Sequence, residues 1–262
     1  MTSHPAYEVP REVTPYASVL LQQNPGPMTL DGTNTWLLRA PGAADSIVVD
    51  PGQSDDTHLD RVLAAALDIS LVLVTHRHFD HSQAAAALHE RTGAPVRAID
   101  PEHCIGAAPL TDGEPLAYAG LDVRVLATPG HTADSVSFVV GDDEAVLTGD
   151  TILGRGTTVV AYPDGVLGPY LHSLRRLATL GDATVLTGHG PELPSVAEVA
   201  RSYLAHREER LDQVRAALSQ LGPDATARQI VEVVYADVDK SVWFAADLSV
   251  EAQLAYLHGL GT

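Results

Sequence analysis

The sequence predicts a layered α/β fold followed by a small helical unit. Two observations carry that expectation. Short apolar segments alternate with amphipathic ones from Ser18 to Leu186, and beyond Glu192-Leu193-Pro194 the pattern becomes mainly helical. No internal repeat or low-complexity tract interrupts either part.

Each element has its own reason. Val19-Leu20-Leu21 and Thr35-Trp36-Leu37-Leu38 are strand-like runs, joined by the turn-rich stretch Asn24 to Gly32. Ile47-Val48-Val49 is a third strand, ended by Asp50-Pro51-Gly52. From Asp55 to Leu67, Leu59, Val62, Leu63, Ala66 and Leu67 recur at helical spacing. A strand over Leu71–Val74 and a helix over Ser82–Arg91 follow. Further strands are expected at Val123–Leu126, Val136–Val140, Ala145–Leu147 and Thr184–Leu186, with a helix over Leu167–Leu180. Ser195 is placed to cap a long helix that stops at Gly222-Pro223, and Thr226–Tyr235 and Ser249–Leu260 read as two more. A short wing is expected near Asp237–Phe244. These patterns divide the chain into residues 1–194 and 195–262.

Composition narrows the function. The 262 residues carry 34 acids against 16 bases, a net charge of −18, and Lys240 is the single lysine. Such a chain repels polyanions at long range, which disfavours general nucleic-acid affinity. Its last 68 residues hold six bases and ten acids, so the helical unit is no basic arm. Cys104 is the only cysteine, so a thiolate-rich zinc site and an internal disulfide are excluded. No apolar run is long enough to span a bilayer, and Met1–Pro15 contain no apolar signal core. The expectation is a soluble cytoplasmic protein without membrane attachment.

The strongest local pattern is Thr75-His76-Arg77-His78-Phe79-Asp80-His81, four metal-type ligands in six residues directly after an apolar strand. In an extended loop, residues i and i+2 point the same way, so His76 and His78 can share one ion. Asp80 and His81, where the loop turns into the helix, are free to serve a second. His131, Asp150 and His189 each stand just past another apolar strand, in Thr-Pro-Gly-His, Thr-Gly-Asp and Thr-Gly-His contexts. Singly, each has an ordinary structural explanation. A lone His after Gly is commonly structural, and an Asp in a Gly-Asp turn commonly bonds its own backbone. Together, four strand ends deliver seven ligands to one sheet edge, where α/β proteins gather their sites. Asp50, Thr132, Asp134 and Thr187 are placed to orient the imidazoles from behind, or to cap turns.

The HxHxDH stretch, followed in order by His131, Asp150 and His189, resembles the metallo-β-lactamase superfamily from Val19 to about His189. The resemblance implies an αβ/βα sandwich of two mixed sheets with helices outside. It also implies one zinc on His76, His78 and His131, a second on Asp80, His81 and His189, and Asp150 between them. Asn24–Thr35, Gly130–Ser135 and His206-Arg207 are similar to the branch named for β-lactamase-like protein 2, which implies a winged-helix-like C-terminal domain. That branch includes single-strand endoribonucleases and thioesterases acting on carrier-bound polyketides.

Two Zn2+ ions are therefore expected, although imidazole and carboxylate suit iron and manganese too. The expected reaction is attack by a metal-bridged hydroxide on an acyl bond (thioester, lactone or amide) of a small or carrier-bound substrate, with Asp80 orienting it or taking its proton. The alternative is an endoribonuclease on single-stranded RNA, opposed by the single lysine and an aromatic content of only 5%. A non-catalytic DNA-binding regulator is opposed by the acidic tail and the complete ligand set. Specificity is expected in the loops Asn24–Thr33 and Gly154–Gly168, with an open groove rimmed by Arg155, Arg175 or Arg207 favouring RNA. The oligomeric state is left open.

Overall fold

The computed structural model describes residues 6–141, 144–237, 239–240 and 243–259. Two sheets stack face to face. The first is ordered β1 (Arg11–Thr14), β2 (Ala17–Leu21), β3 (Asn34–Leu38), β4 (Asp45–Val49), β5 (Asp68–Leu73) and β6 (Val96–Arg97). The second is ordered β11 (Thr184–Thr187), β10 (Ala145–Gly149), β9 (Val136–Val140), β8 (Leu121–Ala127) and β7 (Pro115–Tyr118). Pairing is antiparallel from β1 to β4 and from β7 to β10, and parallel for β4–β5, β5–β6 and β10–β11.

The strands' two-residue periodicity builds the layers. Ile47 and Val49 enter the core between the sheets, where Trp36, Leu38, Leu73, Val125, Phe138 and Leu147 meet them. Val48, from the same strand, faces outward with Leu37 and Val72. There it packs on Leu59 and Val62 of α1 (Asp56–Ala66) and Leu88 of α3 (Ala85–Thr92). Val139, Val146 and Val185 do the same on the other side. They are covered by Leu167, Tyr170 and Leu174 of α4 (Leu167–Leu177) and by Val196, Ala200 and Tyr203 of α5 (Val196–Leu221). The result is the expected αβ/βα sandwich. Asp55 caps α1 by accepting from the amides of Thr57 and His58, and Ser195 caps α5 by accepting from Glu198.

Three strands escape the apolar pattern. β1 is half-exposed and polar, β6 has only two residues, and β7 begins at a proline. The helix expected over Ser82–Arg91 is interrupted. A short α2 (Phe79–Ser82) carries the last two residues of the HxHxDH stretch, and α3 begins after Ala84. Beyond α5, Thr226 closes a capping box with Gln229 at the start of α6 (Ala227–Val234). α7 spans Trp243–Leu257, beginning six residues before the helix expected at Ser249. Ala246 is already buried against Val214, Ile230 and Val250, so packing extends the helix backward. Of the expected wing, Trp243 and Phe244 form the first turn of α7, while residues 238, 241 and 242 lie outside the described residues, as does Leu260. No helix among the described residues is long and apolar enough to cross a membrane.

Candidate metal centre

Five strands end at one rim of the sandwich, and each delivers a polar residue just beyond its last apolar one. Asp50 follows β4, the HxHxDH segment follows β5, His131 follows β8, Asp150 follows β10 and His189 follows β11. All seven residues expected from the sequence meet there. Donor atoms of His76, His78 and His131 lie within 4.8 Å of one another, as do those of Asp80, His81 and His189. A third group, His76, His81 and Asp150, links the two. All but the half-buried His78 are buried.

The hydrogen bonds behind the rings fix their tautomers. Asp50 accepts from the Thr75 amide and hydroxyl, both at 2.7 Å, and pairs with His81 Nδ1 at 2.8 Å. With its own proton committed to Asp50, the Thr75 hydroxyl can accept from His76 Nδ1 at 3.1 Å. His131 Nδ1 donates to the Val159 carbonyl at 2.9 Å, and His189 Nδ1 to the Gly32 carbonyl at 3.0 Å. Each outward nitrogen is thus a donor, which leaves the inward one a lone pair.

Once the rings are neutral, those lone pairs converge on one another. His76 Nε2 and His131 Nε2 stand 3.0 and 3.1 Å from His78 Nδ1, and His81 Nε2 stands 3.2 Å from His189 Nε2. Asp150 Oδ1 is buried without a hydrogen bond, 3.5 Å from His81 Nε2. Acceptors crowded in this way, with an orphaned carboxylate oxygen among them, fit cations rather than one another.

Electrostatics divide the cluster. Burial, then the neighbouring His81 and His131, drives the His76 pKa well below the ordinary value, and burial with His131 and His81 lowers that of His78. Both rings are thereby held neutral. On the other side, burial opposes ionisation of Asp80 and Asp150, but the adjacent imidazoles outweigh it and hold both carboxyls far below the usual range. Burial likewise opposes the charge on His189, yet Asp150 and Asp80 push its pKa up to about 9, and His81 is raised well above normal by Asp80, Asp150 and Asp50. Without metal, protons occupy this carboxylate-rich half, and a bound cation would displace them.

Of the four residues expected behind the rings, Asp50 alone contacts an imidazole among the described residues. The Thr132 hydroxyl pairs with Ser135 at 2.7 Å, and the Thr187 hydroxyl donates to the Gly190 carbonyl at 3.1 Å. Both carboxylate oxygens of Asp134 are buried without a partner, and nothing in the structure explains them. The supports the sequence did not reveal are Thr75 and the carbonyls of Gly32 and Val159. A carbonyl leaves no trace in residue type. Gly188 has a geometric reason. A Cβ there would come 2.6 Å from Asp150 Oδ1 and 2.8 Å from His81 Cε1.

Above the centre lies a cavity of about 100 Å3, touching His131 and Asp150. Pro27, Met28 and Leu30 wall one side, and Leu153 and residues 155–159 the other. Arg155, at this mouth, is ion-paired with Asp31. Arg175 lies in a separate depression against Leu171 and Glu208, and Arg207 is 95% buried.

Comparisons with known proteins agree with this geometry. The sequence model of the metallo-beta-lactamase superfamily matches residues 28–122 and 112–189, and that of the beta-lactamase associated winged helix domain matches residues 226–261. A beta-lactamase-like protein 2 homolog from Caenorhabditis elegans is 32% identical over 250 residues, covering 91% of this chain and 82% of that one. An atrochrysone carboxyl ACP thioesterase from Aspergillus fumigatus is 30% identical, covering 85% and 74%. Among solved structures, a metallo-beta-lactamase family protein from Thermus thermophilus superposes with a TM-score of 0.78 at 24% identity, covering 95% of both chains.

Proposed function

This chain belongs to the metallo-beta-lactamase superfamily, and from that premise we propose that it is a dinuclear, zinc-dependent acyl hydrolase acting on thioesters of small or carrier-bound acids. The observation that carries the reading is the convergence of inward imidazole lone pairs and carboxylate oxygens at one rim. His76, His78 and His131 would hold one ion, Asp80, His81 and His189 the other, with Asp150 between them. When bound, such a pair activates water near neutral pH and polarises the substrate carbonyl.

The chain's own residues supply the rest. Asp80, ionised and with Oδ2 3.1 Å from His189 Nε2, would orient the attacking water by accepting a hydrogen bond from it. The water oxygen bonds to the acyl carbon, the carbon–sulfur bond breaks, and a proton of that water passes to the departing thiolate, so that acid and thiol leave. Asp50 holds His81 in place from behind. Pro27, Met28, Leu30 and Leu153 give the acyl group an apolar wall and limit water at the reacting carbon.

That wall and the acidic chain favour a thioester over single-stranded RNA, as does a carrier-protein thioesterase among the relatives. We propose residues 1–194 as the catalytic unit and 195–262 as the helical one. α5 serves both, since Tyr203 and Leu211 pack with α4 while Val214 and Ala217 pack with α6 and α7. The test is hydrolysis of acyl thioesters by zinc-loaded protein beside cleavage of single-stranded RNA. Thiol release with no RNA cleavage is expected, and RNA cleavage without thiol release would overturn the reading.

A further inference from the structure

A second cavity, of about 190 Å3, opens on the far side of the segment that walls the first. Thr157, Thr158 and Val159 line both. The opposite side is built by α5 and α7, and α5 contributes His206, Arg207 and Arg210. In a chain of net charge −18, two arginines and a histidine within one turn and a half of helix stand out.

Their partners are incomplete. Arg207 is 95% buried. It donates through Nη2 to the Thr158 carbonyl and lies 5.1 Å from the Tyr170 ring centroid, but its Nε is buried with no partner. His206 Nδ1 is likewise buried and unpaired. Arg210 donates to Gln213 at 2.7 Å and sits 4.8 Å from the Tyr235 ring centroid. Among the described residues no carboxylate pairs with either arginine. A buried guanidinium with no counter-charge, beside an orphaned imidazole nitrogen, is costly unless an anion completes it. Planar guanidinium forks recognise phosphate oxygens in particular.

We propose that this groove is a phosphate subsite, and that it holds the phosphate at the far end of an acyl-pantetheine arm whose thioester lies at the metal centre. The inference rests on the thioesterase reading above. Thr157, Thr158 and Val159 line both cavities, so a single stretch of chain lies between the groove and the metal centre. The same phosphate occurs in coenzyme A and on a carrier protein, so the subsite reads the arm common to both.

The test is a 1H–15N NMR titration of the zinc-loaded full chain with S-methyl pantetheine and with its 4′-phosphate, thioethers that cannot be hydrolysed. The phosphate form is expected to bind at least about tenfold more tightly, and to shift the amides of Thr157, Thr158, His206 and Arg210. Arg210→Glu and His206→Asp should each erase that margin. Arg207→Met should do so too. If circular dichroism shows that it does not fold, Arg210→Glu decides. Equal binding of the two ligands, a margin that survives Arg210→Glu, or displacement by tetrauridylate at lower concentration would overturn the proposal. Because neither ligand turns over, missing thioester hydrolysis counts against the proposed reaction alone, and a missing phosphate margin against the subsite.

Discussion

The interior between the sheets and the rim above it are built by the same strands, yet they obey different rules. Leu147 lies in the interior and Asp150, three residues later, at the rim. Leu73 and His76 repeat the relation on β5, and Leu186 and His189 on β11. The interior is apolar and interchangeable in detail, since any residues of similar volume could fill it. The rim buries imidazoles and carboxylates whose cost is met only when each nitrogen and oxygen has one particular partner. Stability therefore resides below and chemistry above, and substitutions should separate the two.

The largest separation is expected from Asp150→Asn set beside Phe138→Ala. The first should reduce thioester turnover by more than the roughly 10–100-fold that follows loss of an outer partner, and should cost less stability than the second. The second should cost about 3–5 kcal/mol of stability in chemical denaturation, with metal content unchanged. If both substitutions lowered stability and turnover alike, the distinction would fail. Next comes Gly188→Ala. Its Cβ must displace Asp150 Oδ1 or His81, and a misplacement near 1 Å costs on the order of a hundredfold in rate. Steady-state kinetics on folded variant would show it.

Asp50→Asn sharpens the comparison from behind the rim. The carboxylate gathers Thr75 and His81, so metal affinity should drop about 10–100-fold by competition with a chelator. An unaltered affinity would assign Asp50 to the interior's role. The smallest effect is expected from Tyr203→Phe. The Tyr203 hydroxyl meets the Leu153 amide at 3.1 Å and the Gly156 carbonyl at 3.0 Å, tying α5 to the loop beside the cavity. Its loss should cost about 0.5–1.5 kcal/mol and raise KM more than it lowers kcat.

The same division explains what could be read from the sequence. The interior was legible because strands buried on both faces read as continuous apolar runs, as in Ile47-Val48-Val49, and the site because seven ligand-type residues follow strand ends. β1 and β7 were hidden because edge strands need little apolar surface. The extent of α7 was hidden because the burial of Ala246 against Val214 and Ile230 is a tertiary contact. The supports behind the rings were the least legible. Gly32 and Val159 act through carbonyls that every residue carries, and the division of His206, Arg207 and Arg210 from the metal centre appears only when α5 is seen against residues 157–159.

Whether the rim holds two cations is tested most directly by elemental analysis of the purified protein by mass spectrometry. The account predicts two equivalents of divalent metal per chain, about one in His78→Ala and in His189→Ala, and loss of thioester hydrolysis on stripping that returns with zinc. Folded protein that binds no metal, or that keeps full activity after stripping, would contradict it.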